Sequence, residues 1–189
     1  TGKILPGRAK GLHLSELGKE QASKVATNLR MLENVTTVYA SPMERTLETA
    51  KPIASAFGLK VQRNRGLIEA DFGKWTGRKL SDLRKLSDWE IVQKNPSLFR
   101  FPDGESFIEI QSRMVETITR ISDKHRGEIV IAVSHADTHR QKANAAHFAA
   151  ALSRPLALLM PLLESRRHLQ GESHTRTLSA NLLTDGRLC

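Results

Sequence analysis

Arg45 follows a β-branched and aromatic run at residues 35–40 and the stop dipeptide Ser41-Pro42. That order puts it in the first turn of a helix leaving a strand, where unpaired backbone amides and the helix dipole favour an anion. A guanidinium there adds a planar, permanently charged fork matched to phosphate oxygens. A lone arginine is more often a solvated surface residue, and only its place at a strand-to-helix switch raises Arg45 above that. His135 follows the apolar run 128–133 and one serine, so it should project from the same carboxyl edge of a sheet, where open α/β folds bind ligands. A histidine at a strand end is itself more often structural, and only its sharing an edge with Arg45 raises His135 above that. Glu69 lies among Leu67, Ile68 and Phe72, surroundings that favour a protonated carboxyl, as a general acid requires. Asp71 is its nearby competitor. Phe72 and Trp75 read as loop anchors on a core rather than a base-stacking platform, because aromatic residues make up only 5% of the chain.

The elements that must hold these residues are legible in the hydrophobic spacing. Leu17, Ala22, Val25, Ala26, Leu29 and Leu32 fall at helical intervals behind Ser15, a suitable N-cap. Asn34 ends that helix, and residues 35–40 form a buried strand. Ser41, Pro42 and Glu44 offer an N-cap, a first-turn proline and a capping-box acid for a second helix closed by Gly58. Residues 60–62 predict a short strand, and a weaker helical pattern covers 80–93. Pro102-Asp103-Gly104 is a turn, and Ser106 with Glu109 caps a long helix marked by Phe107, Ile110, Met114, Ile118 and Ile121. The run 128–133 suits a strand covered on both faces. Helix, strand, helix, then strand after a helical crossover is the order of an α/β domain with a largely parallel sheet.

Composition bounds the rest. The chain has 189 residues, 39% of them apolar, enough for one domain with a real core. Its 29 Lys and Arg against 20 Asp and Glu give a charge of +9, which favours an anionic partner: phosphate esters, nucleic acid or acidic lipid. Basic residues are scattered without a run of four, and no nucleic-acid-binding motif is present, which disfavours that partner. The longest apolar stretch, 156–163, is broken by Pro161 and is too short to span a bilayer. A single cysteine, Cys189, supports neither an internal disulfide nor a thiolate metal cluster and points to a cytoplasmic location. The chain opens on Thr1, which implies processing or a missing beginning. After Asp137 there is no Val, Ile, Tyr or Trp, while Leu occurs eleven times and four of the seven histidines appear, so no strand is expected there. Two readings of 138–189 stay open: a leucine- and alanine-rich tail, helical over about 144–169 or disordered, or a sequence whose reading frame changes near Thr138.

Five motifs then occur in order. They are Leu5-Pro6-Gly7-Arg8 with Gly18-Lys19-Glu20-Gln21-Ala22; Ala40-Ser41-Pro42-Met43-Glu44-Arg45-Thr46 with Thr49-Ala50; Leu67-Ile68-Glu69 with Phe72-Gly73-Lys74-Trp75-Thr76-Gly77; Pro102-Asp103-Gly104-Glu105-Ser106; and Val133-Ser134-His135-Ala136. Together the series resembles branch 1 of the histidine phosphatase superfamily, the phosphoglycerate mutase-like proteins. The resemblance implies a three-layer α/β/α sandwich over 1–137 and phosphoryl transfer through a phosphohistidine, without metal or cofactor. In that family two histidines and two arginines enclose the phosphoryl group and a glutamate protonates the departing oxygen. Arg45 matches the second arginine and binds phosphate; Glu69 matches the acid; His135 matches the second histidine, both catalytic and phosphate-binding.

The family's nucleophile and first arginine belong to an Arg-His-Gly signature on the first strand, and this chain has no such tripeptide. The resemblance places it ahead of Gly7-Arg8, so a strand of about five or six residues and a short loop are expected to be missing. His13 is no substitute, having no strand to place it. The expectation is a truncated phosphomonoesterase acting on a small phosphorylated substrate, inactive as it stands. Mutase chemistry is disfavoured because only 24 residues lie between Gly77 and Pro102, where the resemblance implies a longer insertion for mutases. A phosphate-binding protein without catalysis is the alternative from another class.

Overall fold

The structure, a computed structural model, describes residues 3–135 and the backbone of 156–159. Helix α1 (Glu16–Leu29) begins where expected, with the Ser15 hydroxyl accepting from the Gly18 amide. Strand β1 (Val35–Ala40) follows, then α2 (Glu44–Ala56) and β2 (Val61–Arg63). Short 3-10 turns at Arg65–Leu67 and Gly73–Trp75 lead to α3 (Leu80–Leu83) and α4 (Ser87–Lys94). Helix α5 (Phe107–Lys124) carries the anticipated capping box, with Ser106 and Glu109 satisfying each other's amides. Strand β3 is Ile129–Val133 and β4 is Leu156–Leu159.

The strands form one sheet in the order β2-β1-β3-β4, every pairing parallel. Alternation along the strands divides the core between two faces. Val38, Ala40, Ile131 and Val133 point to one side, against Ala26 and Leu29 of α1 and Ala50, Ile53 and Ala54 of α2. Tyr39, Val130 and Ala132 point to the other, against Met114, Ile118 and Ile121 of α5. The result is the expected α/β/α sandwich. A third cluster of Ala70, Phe72, Trp75, Leu83, Phe99, Phe101 and Ile110 fills the space beneath the long connection between β2 and α5. Its rings meet edge-on, Phe72 with Phe101 at 4.8 Å and Phe99 with Phe101 at 5.1 Å between centroids. Each such pair contributes about 0.5–1.5 kcal/mol beyond area burial. Phe72 and Trp75 are therefore the core anchors the sequence suggested.

Three expectations need correction. Residues 80–93 form two helices, interrupted at Arg84, Lys85 and Leu86, because Leu83 and Leu86 both turn toward the aromatic cluster. Helix α2 starts at Glu44 with Met43 as its N-cap and no side-chain cap, so Ser41 does not cap it. Finally, a strand does exist after Asp137: Leu156–Leu159 pairs with β3 in the register Val130↔Leu156 to Val133↔Leu159. These four residues form a strand where none was expected, and the exposed edge of a parallel strand overrides the weak β-propensity of Leu and Ala. The other readings of 138–189, the helix over 144–169 and the changed frame, lie outside the described residues.

Candidate functional site

Parallel register is what brings Arg45 and His135 together. Ala40 sits opposite Val133 on β3 and Arg63 on β2, so the chain leaves all three strands at one edge. The Ser41 amide adds one further rung by donating to the Val133 carbonyl at 2.9 Å. From there Pro42-Met43 turns into α2, which puts Arg45 in its first turn, and Ser134-His135 emerges beside it.

Glu69 arrives on an irregular loop that follows β2. The Asn64 amide donates to the Ala40 carbonyl, and the Asn64 side chain accepts from the Gly66 amide to set a 3-10 turn. Gly66 lies flat against α5: a Cβ there would stand 1.9 Å from Thr117 Oγ1. Buried loop backbone needs partners for its polar groups, and here four successive carbonyls receive side-chain donors. Arg113 Nη1 donates to Gly66 O and Ile68 O at 2.8 and 2.9 Å, Ser134 Oγ to Leu67 O at 2.8 Å, and Arg8 Nε to Glu69 O at 2.8 Å. Glu105 then ties the two arginines to each other. Its carboxylate accepts from Arg8 Nη2, from Nε and Nη2 of Arg113, and from the Asp71 amide, all at 2.9–3.0 Å. Burial opposes the Glu105 charge, but the hydrogen bonds from Arg113 and the Asp71 amide and the charges of Arg113 and Arg8 outweigh it and hold its pKa below the ordinary 4.5.

Held this way, Glu69 is 4% exposed and its carboxylate faces the two other candidates. Its Oε1 accepts from the Ala70 amide at 2.9 Å. Its Oε2 stands 3.8 Å from Arg45 Nη2 and 3.6 Å from His135 Nδ1. Arg45 Nη2 also donates to the Gly7 carbonyl at 3.1 Å, so the Gly7-Arg8 turn is fastened to both Arg45 and Glu69. His135 is 4% exposed, and its Nε2 lies 2.7 Å from Ser41 Oγ. Asp71, the nearby carboxyl, accepts through Oδ2 from Arg8 Nη1 at 2.9 Å and through Oδ1 from the Gly73 amide. His13 is 59% exposed and pairs with Glu48 on α2.

Arginine, carboxyl and imidazole thus meet in one buried place at the carboxyl edge of the sheet. A permanent cation and an imidazole beside a single carboxyl can neutralise an entering anion and deliver a proton to it. Among the described residues no group of three or more His, Cys, Asp or Glu is arranged to hold a metal ion, and no helix is long and apolar enough to cross a membrane. Spacing alone did not reveal Ser41 as a partner of His135, nor the Arg8, Glu105 and Arg113 clasp. These residues lie in quoted motifs or, for Arg113, in an unremarkable helical position, and only the tertiary fold joins them.

Known proteins resemble this chain in sequence and in fold. The phosphoserine phosphatase 1 of Hydrogenobacter thermophilus is 33% identical over 134 residues, covering 68% of this chain and 63% of its own length. Phosphoglycerate mutase-like protein 4 of Arabidopsis thaliana is 31% identical over 133 residues, 68% of this chain and 58% of its own. The chain therefore spans less than two thirds of the length of these relatives. Among solved structures, a mycobacterial glucosyl-3-phosphoglycerate phosphatase shares the fold with a TM-score of 0.66 at 21% identity, over 80% of this chain and 72% of that one. Bacillus stearothermophilus YhfR matches with a TM-score of 0.64 at 25% identity, over 72% of this chain and 67% of that one. A sequence profile matching residues 2–165 completes the agreement of motif order, sheet topology and relatives: the chain belongs to the histidine phosphatase superfamily, branch 1.

Proposed function

We propose that Arg45, Glu69 and His135 are the phosphoryl-binding and proton-transfer groups of a phosphomonoester hydrolase that works through a phosphohistidine. One observation carries the reading: a single buried carboxylate oxygen, Glu69 Oε2, faces Arg45 Nη2 at 3.8 Å and His135 Nδ1 at 3.6 Å. Arg45 neutralises phosphate charge and orients the ester. His135 supplies a second contact to the phosphoryl oxygens. Glu69 passes to the departing ester oxygen, as the phosphorus–oxygen bond breaks, the proton that the phosphomonoester monoanion brings into the site, then takes one from the water that hydrolyses the phosphoenzyme.

The attacking imidazole in this family belongs to Arg-His-Gly, which the 189 residues do not contain. Taken alone they should bind a phosphoryl group and turn it over negligibly, because losing the nucleophile of a covalent enzyme costs on the order of 10⁶ in turnover. A phosphate-ester-binding protein without catalysis is the alternative reading. Phosphoglycerate mutase-type transfer is the weaker reading, given only 24 residues between Gly77 and Pro102. The lone cysteine fits a reducing, cytoplasmic setting.

The test is a titration of the full chain with inorganic phosphate, followed by NMR, alongside the Arg45→Gln variant. Saturable binding is expected, weakened about 10- to 100-fold in the variant, the worth of a charge-assisted hydrogen bond. Equal affinity in the two proteins, or no binding to the wild type at tens of millimolar, would overturn the assignment.

A further inference from the structure

Ser41 has no role in capping α2, and yet it is wholly buried. Its backbone is held on both sides: the amide donates to Val133 O, and the carbonyl accepts from Thr46 Oγ1 at 2.9 Å. Pro42, whose ring fixes φ, follows immediately. The hydroxyl therefore projects from a rigid point, and it meets His135 Nε2 at 2.7 Å. The other ring nitrogen, Nδ1, looks toward Glu69 Oε2 at 3.6 Å. The imidazole is stretched between a group that can donate or accept and one that, when ionised, can only accept.

That asymmetry decides where the ring proton belongs. In a neutral imidazole one nitrogen carries the proton, and the hydrogen bond made by the other selects which. A bare Nδ1 would aim its lone pair at the Glu69 carboxylate and at any phosphate seated beside it, a repulsive arrangement. With the proton on Nδ1, both contacts become attractive, and Nε2 is left needing a donor. The Ser41 hydroxyl is placed to be that donor.

We propose that Ser41 is a positioning residue for His135: its hydroxyl donates to Nε2, fixes the ring, and keeps the proton on Nδ1, so that the imidazole presents N–H to the phosphoryl oxygens. This rests on the phosphate-binding reading for its consequence, though not for the tautomer itself. The same relation between a ring nitrogen and the partner of its opposite nitrogen orients histidine ligands and catalytic histidines generally. Substituting Ser41 removes no group that touches substrate. It changes which face of His135 the substrate meets.

The experiment is long-range ¹H–¹⁵N correlation on the full chain at neutral pH, with the His135 signals assigned, for the wild type and Ser41→Ala. The wild type should show His135 protonated at Nδ1 and bare at Nε2, and Ser41→Ala should show the two nitrogens moving toward a mixture of tautomers. Phosphate affinity should fall about three- to tenfold in Ser41→Ala, the scale of one neutral hydrogen bond. An Nε2–H tautomer in the wild type would overturn the proposal without recourse to any variant. So would His135 nitrogen shifts unchanged by Ser41→Ala. If the tautomers behave as stated but neither protein binds phosphate, Ser41's hold on the ring stands and the phosphate-binding reading falls instead.

Discussion

Glu105→Gln is the substitution that most sharply separates the clasp beneath Glu69 from its surroundings. Glu105 Oε2 accepts from Arg8 Nη2, Arg113 Nη2 and the Asp71 amide, and Oε1 accepts from Arg113 Nε. Glutamine preserves the volume but sets an NH₂ against one of these donors and removes the charge shared by two guanidinium groups. Breaking a fully buried ion pair costs about 3–5 kcal/mol, and an exposed one costs about 0–1. The Glu105 and Arg113 side chains are each 21% exposed and Arg8 is 29%, which places the network between those limits. Discounted for solvent screening, the expected loss is about 2 kcal/mol, or about 4–8 °C in melting temperature for a chain of this length. The folded carboxyl holds its proton less tightly than the unfolded one, for which 4.5 is the ordinary value. Its stabilisation is thus complete above that value and disappears as pH falls through the lower folded pKa. Urea unfolding followed by the fluorescence of buried Trp75 measures both effects. The gap between wild type and Glu105→Gln should be present at neutral pH and should close on acidification below about pH 4.5. A neutral-pH difference under about 0.5 kcal/mol, or a gap that widens in acid, would refute the clasp.

Gly73→Ala should destabilise the fold by at least about 2 kcal/mol, because φ is +49° there and the new Cβ would fall 2.0 Å from the Pro102 carbonyl oxygen; thermal unfolding checks this, and a neutral effect would mean that the 71–73 turn is not held against 102–104. Joining a strand that carries Arg-His-Gly ahead of Thr1 should yield phosphatase activity that survives EDTA and acid-labile, base-stable ³²P label on the protein, neither of which the 189 residues alone should show. In the joined protein, Glu69→Ala should lower turnover by about 10²- to 10⁴-fold for esters with poor leaving groups and much less for good ones. An equal loss for both would make Glu69 a structural residue.

Local order in the sequence translated well where the determinants were themselves local. The β-branched run of β1 and the Ser106–Glu109 capping box carry their signals within a few residues, and both elements form where expected. Arg45, Glu69 and His135 were each legible from a strand end or an apolar loop; parallel register brings Arg45 and His135 to one edge, and the hydrogen-bonded loop after β2 brings Glu69 there. The clasp was not legible, since Arg8 reaches Glu105 across 97 residues and no local spacing encodes such a pairing. Ser41 was misread for a related reason: a serine before a proline and a helix looks like a cap, and only the fold shows its hydroxyl directed at His135. Strand β4 escaped notice because Leu156-Ala-Leu-Leu159 has no β-branched residue, and its pairing depends on the open edge of β3. The break between α3 and α4 reflects packing on the aromatic cluster and leaves no turn signal in the sequence.

Arg45, Glu69 and His135 are proposed to surround one phosphoryl group. A crystal structure of the full chain with vanadate, a phosphoryl mimic, tests it most directly. The oxyanion should lie within hydrogen-bond distance of the Arg45 guanidinium and of His135 Nδ1, with the Glu69 carboxyl beside it. An oxyanion bound at another edge of the sheet, or Arg45 and His135 found apart with the anion touching neither, would contradict the account.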